Sequence, residues 1–174
     1  MWERFKQDAA RWIVPGHIGD PSALTPRLLL QLLYRYMPLR AMAWYRLACW
    51  CQQKRIPLLY GLLTRWIYSR FGLELWGEIA GGLYVTHTVG TVIAVQEMGE
   101  NCSVIAAVTI GLRTEWGFPR LGDNVFIGAG ARVLGDIHVG NNAKIGANAV
   151  VLHDVPADTT VVGIPAKPLP ASIH

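Results

Sequence analysis

Apolar positions in the first seventy residues recur at helical spacing, and prolines divide them into segments. Residues 2–13 read as a short amphipathic helix. VPGHIGDPSALTP, residues 14–26, carries three prolines and two glycines and reads as a loop. Residues 27–37 and 39–54 return to helical spacing with Pro38 between them, and Pro57 marks the start of another helix over about 58–70. Further on the pattern changes. Set in sixes from Leu121, the chain reads LGDNVF, IGAGAR, VLGDIH, VGNNAK, IGANAV, and then Val151. Aliphatic residues fall at 121, 127, 133, 139, 145 and 151, with small or aliphatic residues four places later. The phase extends back through Met98, Val104 and Ile110, and to Ile79 and Val85 after one inserted residue near 91–97.

A strand alternates and a helix repeats every 3.6 residues, so a period of six fits neither alone. It fits a three-sided coil in which each six supplies one short strand and one turn. The aliphatic residue points inward and stacks on its equivalent 18 residues on, and Gly and Asn take the turn angles that other residues avoid. The expectation is a parallel β-helix over about 77–155. It implies three parts: a helical region at 1–72, the coil domain at 73–168 and a tail at 169–174.

Composition adds assembly and compartment. At 52% hydrophobic and 16% charged, the chain is apolar enough to bury surface against partners. Residues 1–76 hold 11 Lys/Arg and 4 Asp/Glu; residues 77–174 hold 5 and 8. The basic helices, with their Trp and Tyr residues, pack on one another and on the coil, or dock on an anionic membrane surface. Their basic residues are scattered and carry no nucleic-acid fingerprint, so no nucleic acid partner is expected. Cys49, Cys51 and Cys102 are an odd set without metal-ligand spacing, which points to reduced core thiols and no metal. With a charged N-terminus and no long apolar run, the expected location is cytoplasmic, with membrane association as its variant.

The order GGLYVTH, VTIG, a break, then IGAGARVLGDIHVGNNAKIGANAVVLHDVPADTTVVGIPAK resembles serine acetyltransferases and their close relatives, among them colanic-acid-type polysaccharide O-acetyltransferases. The resemblance is strong over about 70–168. Upstream, DPSA (20–23) and WYRLACW (44–50) are similar to the family's helical cap. It implies a left-handed β-helix with hexapeptide repeats, a homotrimer with active sites between neighbouring prisms, and acetyl-CoA as cosubstrate. On the resemblance His87 is the general base, against the plainer reading of a solvated turn histidine. Gly111 stands beside the acyl group, Ala129 and Ala147 are small wall positions for the pantetheine, and Lys144 and Lys167 lie near the nucleotide end. Lys144 also reads as an exposed corner residue.

The chemistry suits these residue types. An alcohol is a poor nucleophile at neutral pH, and a neutral imidazole can take its proton as it attacks a thioester. The oxyanion then needs N–H donors, and a carboxylate often orients the base. Thr86 stands where the family has an acid beside the histidine, which leaves Glu74 and Glu78 as the upstream carboxylates, with Glu74 preferred. A second departure is LRTEWGFPR (112–120): Phe118 precedes Pro119 where serine acetyltransferases carry Arg-His-Pro. In that loop Arg113 and Glu115 are either acceptor ligands or a solvated pair. Asp20, in DPSA, resembles an acceptor-contacting aspartate. The leading expectation is therefore an acetyl-CoA-dependent O-acetyltransferase acting on a hydroxyl of a sugar or glycan precursor. A serine O-acetyltransferase making O-acetylserine for cysteine biosynthesis is the alternative, and a non-catalytic trimeric scaffold the third reading.

Overall fold

The computed structural model describes residues 1–114 and 116–170. Four helices come first: α1 (Trp2–Ala10), α2 (Pro26–Arg35), α3 (Met37–Gln53) and α4 (Pro57–Phe71). Pro26 and Pro57 open α2 and α4, where a missing N–H removes no helical hydrogen bond, and the Thr25 side chain accepts from Leu28 N. Pro38 lies inside the first turn of α3, so the break falls at Tyr36 instead. Gly72 ends α4 in the left-handed conformation at φ 64°.

A prism of five parallel coils follows. Its strands are β1 (Leu73–Ile79), β2 (Tyr84–Val85), β3 (Thr91–Met98), β4 (Ser103–Val104), β5 (Thr109–Gly111), β6 (Arg120–Leu121), β7 (Phe126–Ile127), β8 (Arg132–Leu134), β9 (His138–Val139), β10 (Lys144–Ile145), β11 (Val150–Val151), β12 (Thr160–Val162) and β13 (Lys167–Pro168). One face stacks the first halves of β1 and β3 on β5, β8 and β11. A second stacks the later halves of β1 and β3 on β6 and β9. The third runs β2, β4, β7, β10 and β12, with β13 antiparallel at its end.

The six-residue register is borne out. Leu121, Ile127, Val133, Val139, Ile145 and Val151 are all at most 3% exposed, and Val125, Ala131, Ile137, Ala143 and Ala149 are buried with them. Each fully buried Val or Ile contributes about 1.5–3 kcal/mol relative to exposure. The inserted residue lies in β3: Trp76 pairs with Ala94, but Glu78 pairs with Glu97. Gly77 faces this bulge at φ 108°, and a Cβ there would collide with the Val95 carbonyl oxygen. The coil also lengthens once. Ile110 pairs with Val133, whereas Leu121 pairs with Val139, so the stretch 112–119 leaves the prism as a loop. At one corner Asn101, Asn124 and Asn142 each adopt φ 58°. Their amides form a ladder, Asn124 Nδ2 donating to Asn142 Oδ1 (3.1 Å) and Asn142 Nδ2 to Asp158 Oδ1 (2.8 Å).

Arginines fix the helices to the first two coils. Arg46 of α3 donates to Asp8 of α1 through Nε (2.8 Å) and Nη2 (2.9 Å), and to the carbonyls of Ile79 (2.7 Å) and Ala80 (2.6 Å). Asp8 Oδ1 also accepts from Leu83 N at 2.9 Å. Burial pushes the Asp8 carboxyl upward while Arg46 pulls against it. Arg11 donates to the carbonyls of Gly82 and Asn101 and to Ser103 Oγ. The three cysteines are free thiols, and burial pushes Cys102 up to about 12. On α4, Leu58, Leu62 and Tyr68 face outward beside Arg65. No helix among the described residues is long and apolar enough to cross a membrane.

Candidate active site

His87 leaves the prism just after β2. Its backbone N–H donates to Ile105 O at 2.9 Å, and its carbonyl accepts from Thr91 Oγ1 at 3.0 Å. The turn is therefore fixed by the coil below, while the imidazole is exposed. It opens on a cleft of about 500 Å³ whose walls come largely from the helical region. Tyr36 packs tilted against Trp12 (4.5 Å between centroids) and Trp12 against Tyr84 (4.7 Å), and Arg35 lines the same cleft.

The register places the wall residues under this histidine. Val85, Val104, Ile127 and Ile145 are stacked partners. Two residues past each stand His87, Ala106, Ala129 and Ala147, one below another on a single corner. Asn148 N donates to Ala129 O and Gly130 N to Ala106 O, which holds that corner in step. Below His87 this corner therefore carries only methyl side chains. Lys144 on β10 and Lys167 on β13 are exposed on the face beside it, at the end far from His87, with β12 between their strands. The methyl-lined corner and the two cations are the residues that could hold a long, anionic thioester cosubstrate.

Other expected residues lie elsewhere in the chain. Glu74 points outward on β1 and lines a different cleft, with Arg65 and Tyr68 of α4; strand alternation aims it at the helix, and the structure does not bring it to His87. Gly111 is buried at the far end of β5, where loop 112–119 departs, and Arg113 is exposed in that loop. Glu115 lies outside the described residues. Asp20 does not line the His87 cleft. Its carboxylate accepts from Ser22 Oγ (2.6 Å) and Ser22 N (2.8 Å), which hold it below the usual carboxylate range and make it the cap of a short 3-10 turn at Pro21–Ala23. A second cavity of about 590 Å³ forms where the loop covers β1 and β3. There the rings of Trp76 and Phe118 stack at 4.5 Å, and His87 takes no part.

Sequence reasoning missed Trp12, Arg35, Tyr36 and Tyr84. Six-residue periodicity says nothing of residues that helices bring to the coil from a distance. It also missed an excess of unpaired polar atoms: Trp12 Nε1, Thr86 Oγ1 and Thr88 Oγ1 are buried without a hydrogen-bond partner among the described residues.

Residues 118–153 match the family described as bacterial transferase hexapeptide (six repeats). The chain is 38% identical over 154 residues to the serine acetyltransferase of Synechococcus elongatus, covering 85% of this chain and 62% of that protein. Against the serine acetyltransferase of Helicobacter pylori strain J99 it is 36% identical over 154 residues, covering 85% of this chain and 88% of the other. The chain thus spans about three fifths of the cyanobacterial relative and most of the Helicobacter one. Its fold superposes on the serine acetyltransferase of Neisseria gonorrhoeae in complex with serine with a TM-score of 0.81 at 32% identity, over 97% of this chain and 69% of that one. A serine acetyltransferase complexed with CoA gives a TM-score of 0.74 at 30% identity, over 95% and 67%. These relatives overturn the expected sugar or glycan acceptor: the likeness lies with enzymes named for serine, and nothing among them supports a colanic-acid-type assignment. The sequence misled at Phe118, because loss of one acceptor-side histidine was weighed above the likeness of the whole chain. Identity and fold together place this chain in the serine acetyltransferase family of hexapeptide-repeat transferases, with that family's left-handed β-helix.

Proposed function

We propose that the protein is an acetyl-CoA-dependent serine O-acetyltransferase with His87 as general base. The observation that carries the reading is the corner column. His87 stands at the head of a corner that carries Ala129 and Ala147, with Lys144 and Lys167 on the adjoining face, and it faces a cleft large enough for a small hydroxyl acceptor. His87 takes the proton from the serine hydroxyl, whose oxygen forms a bond to the thioester carbon. The C–S bond breaks, and the same proton passes to the departing sulfur, yielding O-acetylserine and free CoA thiol.

Within one chain, His87 and the pair Gly111 and Arg113 lie on separate corners of the prism, and we read the two corners as half-sites. Three chains in closed symmetry would join one half-site to the other at each boundary, so the working form is read as a homotrimer. The purified protein with acetyl-CoA and L-serine should release thiol in proportion to serine. Release that does not rise above the no-acceptor rate would reject the assignment.

A further inference from the structure

We infer that Arg35 binds the acceptor's carboxylate, so that the His87 cleft selects short hydroxy acids by their anion and not by their amino group. The inference rests on the proposed acyl transfer at His87.

Arg35 is the last residue of α2 and lines the same cleft as His87. Among the described lining residues it is the one permanent cation, and no Asp or Glu lines the cleft. Its neighbour Arg40 is engaged in closing α2, donating through Nη1 to Leu33 O (3.1 Å) and Tyr34 O (3.0 Å). Arg35 has no side-chain hydrogen bond or ion pair among the described residues; its guanidinium lies 5.4 Å from the Tyr36 ring centroid. Tyr36 and Tyr84 each pack tilted against Trp12, and Tyr84 lies three residues before His87. A free guanidinium and the imidazole thus line one cleft together with these three rings.

Residues that line the cleft also hold buried polar atoms without partners. Four buried side-chain N or O atoms lack a partner among the described residues, and three of them belong to residues of this cleft: Trp12 Nε1, Thr86 Oγ1 and Thr88 Oγ1. A carboxylate matches the planar, multi-donor guanidinium, and no ammonium has a counter-charge here among the described residues.

The test measures thiol release from acetyl-CoA by the full chain with three acceptors: L-serine, 3-hydroxypropanoate, which keeps the carboxylate and lacks the amine, and ethanolamine, which keeps the amine and lacks the carboxylate. Wild type should use 3-hydroxypropanoate within about tenfold of serine in kcat/KM, and ethanolamine at least about 100-fold more poorly. Arg35→Gln should raise KM for both carboxylates roughly 10–100-fold, with kcat and the KM for acetyl-CoA little changed. Arg35→Lys should recover part of the loss, and Arg27→Gln on the same helix should change nothing. Unaltered KM for serine in Arg35→Gln, or ethanolamine as good as serine, overturns the inference and leaves serine transfer standing. Activity on 3-hydroxypropanoate that depends on Arg35, with serine inert, overturns serine as the acceptor and keeps the inference. Silence toward both carboxylates overturns both.

Discussion

Asp8→Ala should unfold the junction between helices and coil. The carboxylate is fully buried and joins three donors: Arg46 Nε and Nη2, and Leu83 N. Its removal leaves a guanidinium that is 2% exposed without its counter-charge, although Arg46 keeps the carbonyls of Ile79 and Ala80. Breaking a buried pair from one side typically costs about 3–5 kcal/mol. For a chain of this size, each kcal/mol moves Tm by roughly 2–4 °C, so the expected fall is roughly 6–20 °C. Scanning calorimetry at one fixed protein concentration measures it, because assembly also shifts Tm. The double variant Asp8→Leu/Arg46→Met should lose less than Asp8→Ala alone, since burying both charges is itself costly. A single-variant shift under about 2 °C would refute the reasoning, and so would a double variant less stable than Asp8→Ala alone.

Three further outcomes follow from the same packing and corner. Ile145→Ala removes a fully buried side chain from the middle of the inward stack and should cost about 2–5 kcal/mol, read from the urea midpoint at unchanged slope. The Cys102 thiol, buried and pushed up to about 12, should resist alkylation at neutral pH in the folded protein and react only on unfolding; rapid native labelling at this position would contradict its placement. Lys167→Ala should raise the KM for acetyl-CoA about 10–100-fold with little change in kcat, and an unchanged KM would remove Lys167 from the nucleotide end.

The coil was legible because its cause is local. An inward aliphatic residue every six positions is both the sequence signal and the packing rule, and Asn101, Asn124 and Asn142 announce the corners they turn. The helix positions were readable for a similar reason: Pro26 and Pro57 open α2 and α4 in the structure. Pro38 misled slightly, because proline is tolerated in a first turn and need not mark a break. The clamp of Arg11 and Arg46 on carbonyls of the first two coils had no sequence signal, since those partners lie 33 to 90 residues away. The same holds for the cleft at His87. His87 stood out in a stretch without acids, but its walls, Trp12, Tyr36 and Arg35, arrive from helices that periodicity cannot place. Asp20 was singled out by a motif, yet in this chain its carboxylate is taken up by Ser22.

The central claim is that the imidazole of His87 takes the acceptor's proton. The direct measurement is serine-dependent thiol release by His87→Ala beside wild type, with acetyl-CoA affinity measured separately by calorimetry. The account predicts turnover lower by roughly 10²–10⁴ and acetyl-CoA affinity nearly unchanged, because the side chain is exposed on the cleft proposed for the acceptor, and Ala129, Ala147 and the two lysines proposed to hold CoA lie on other coils. Wild-type turnover on serine in His87→Ala would contradict it and place the base on another residue.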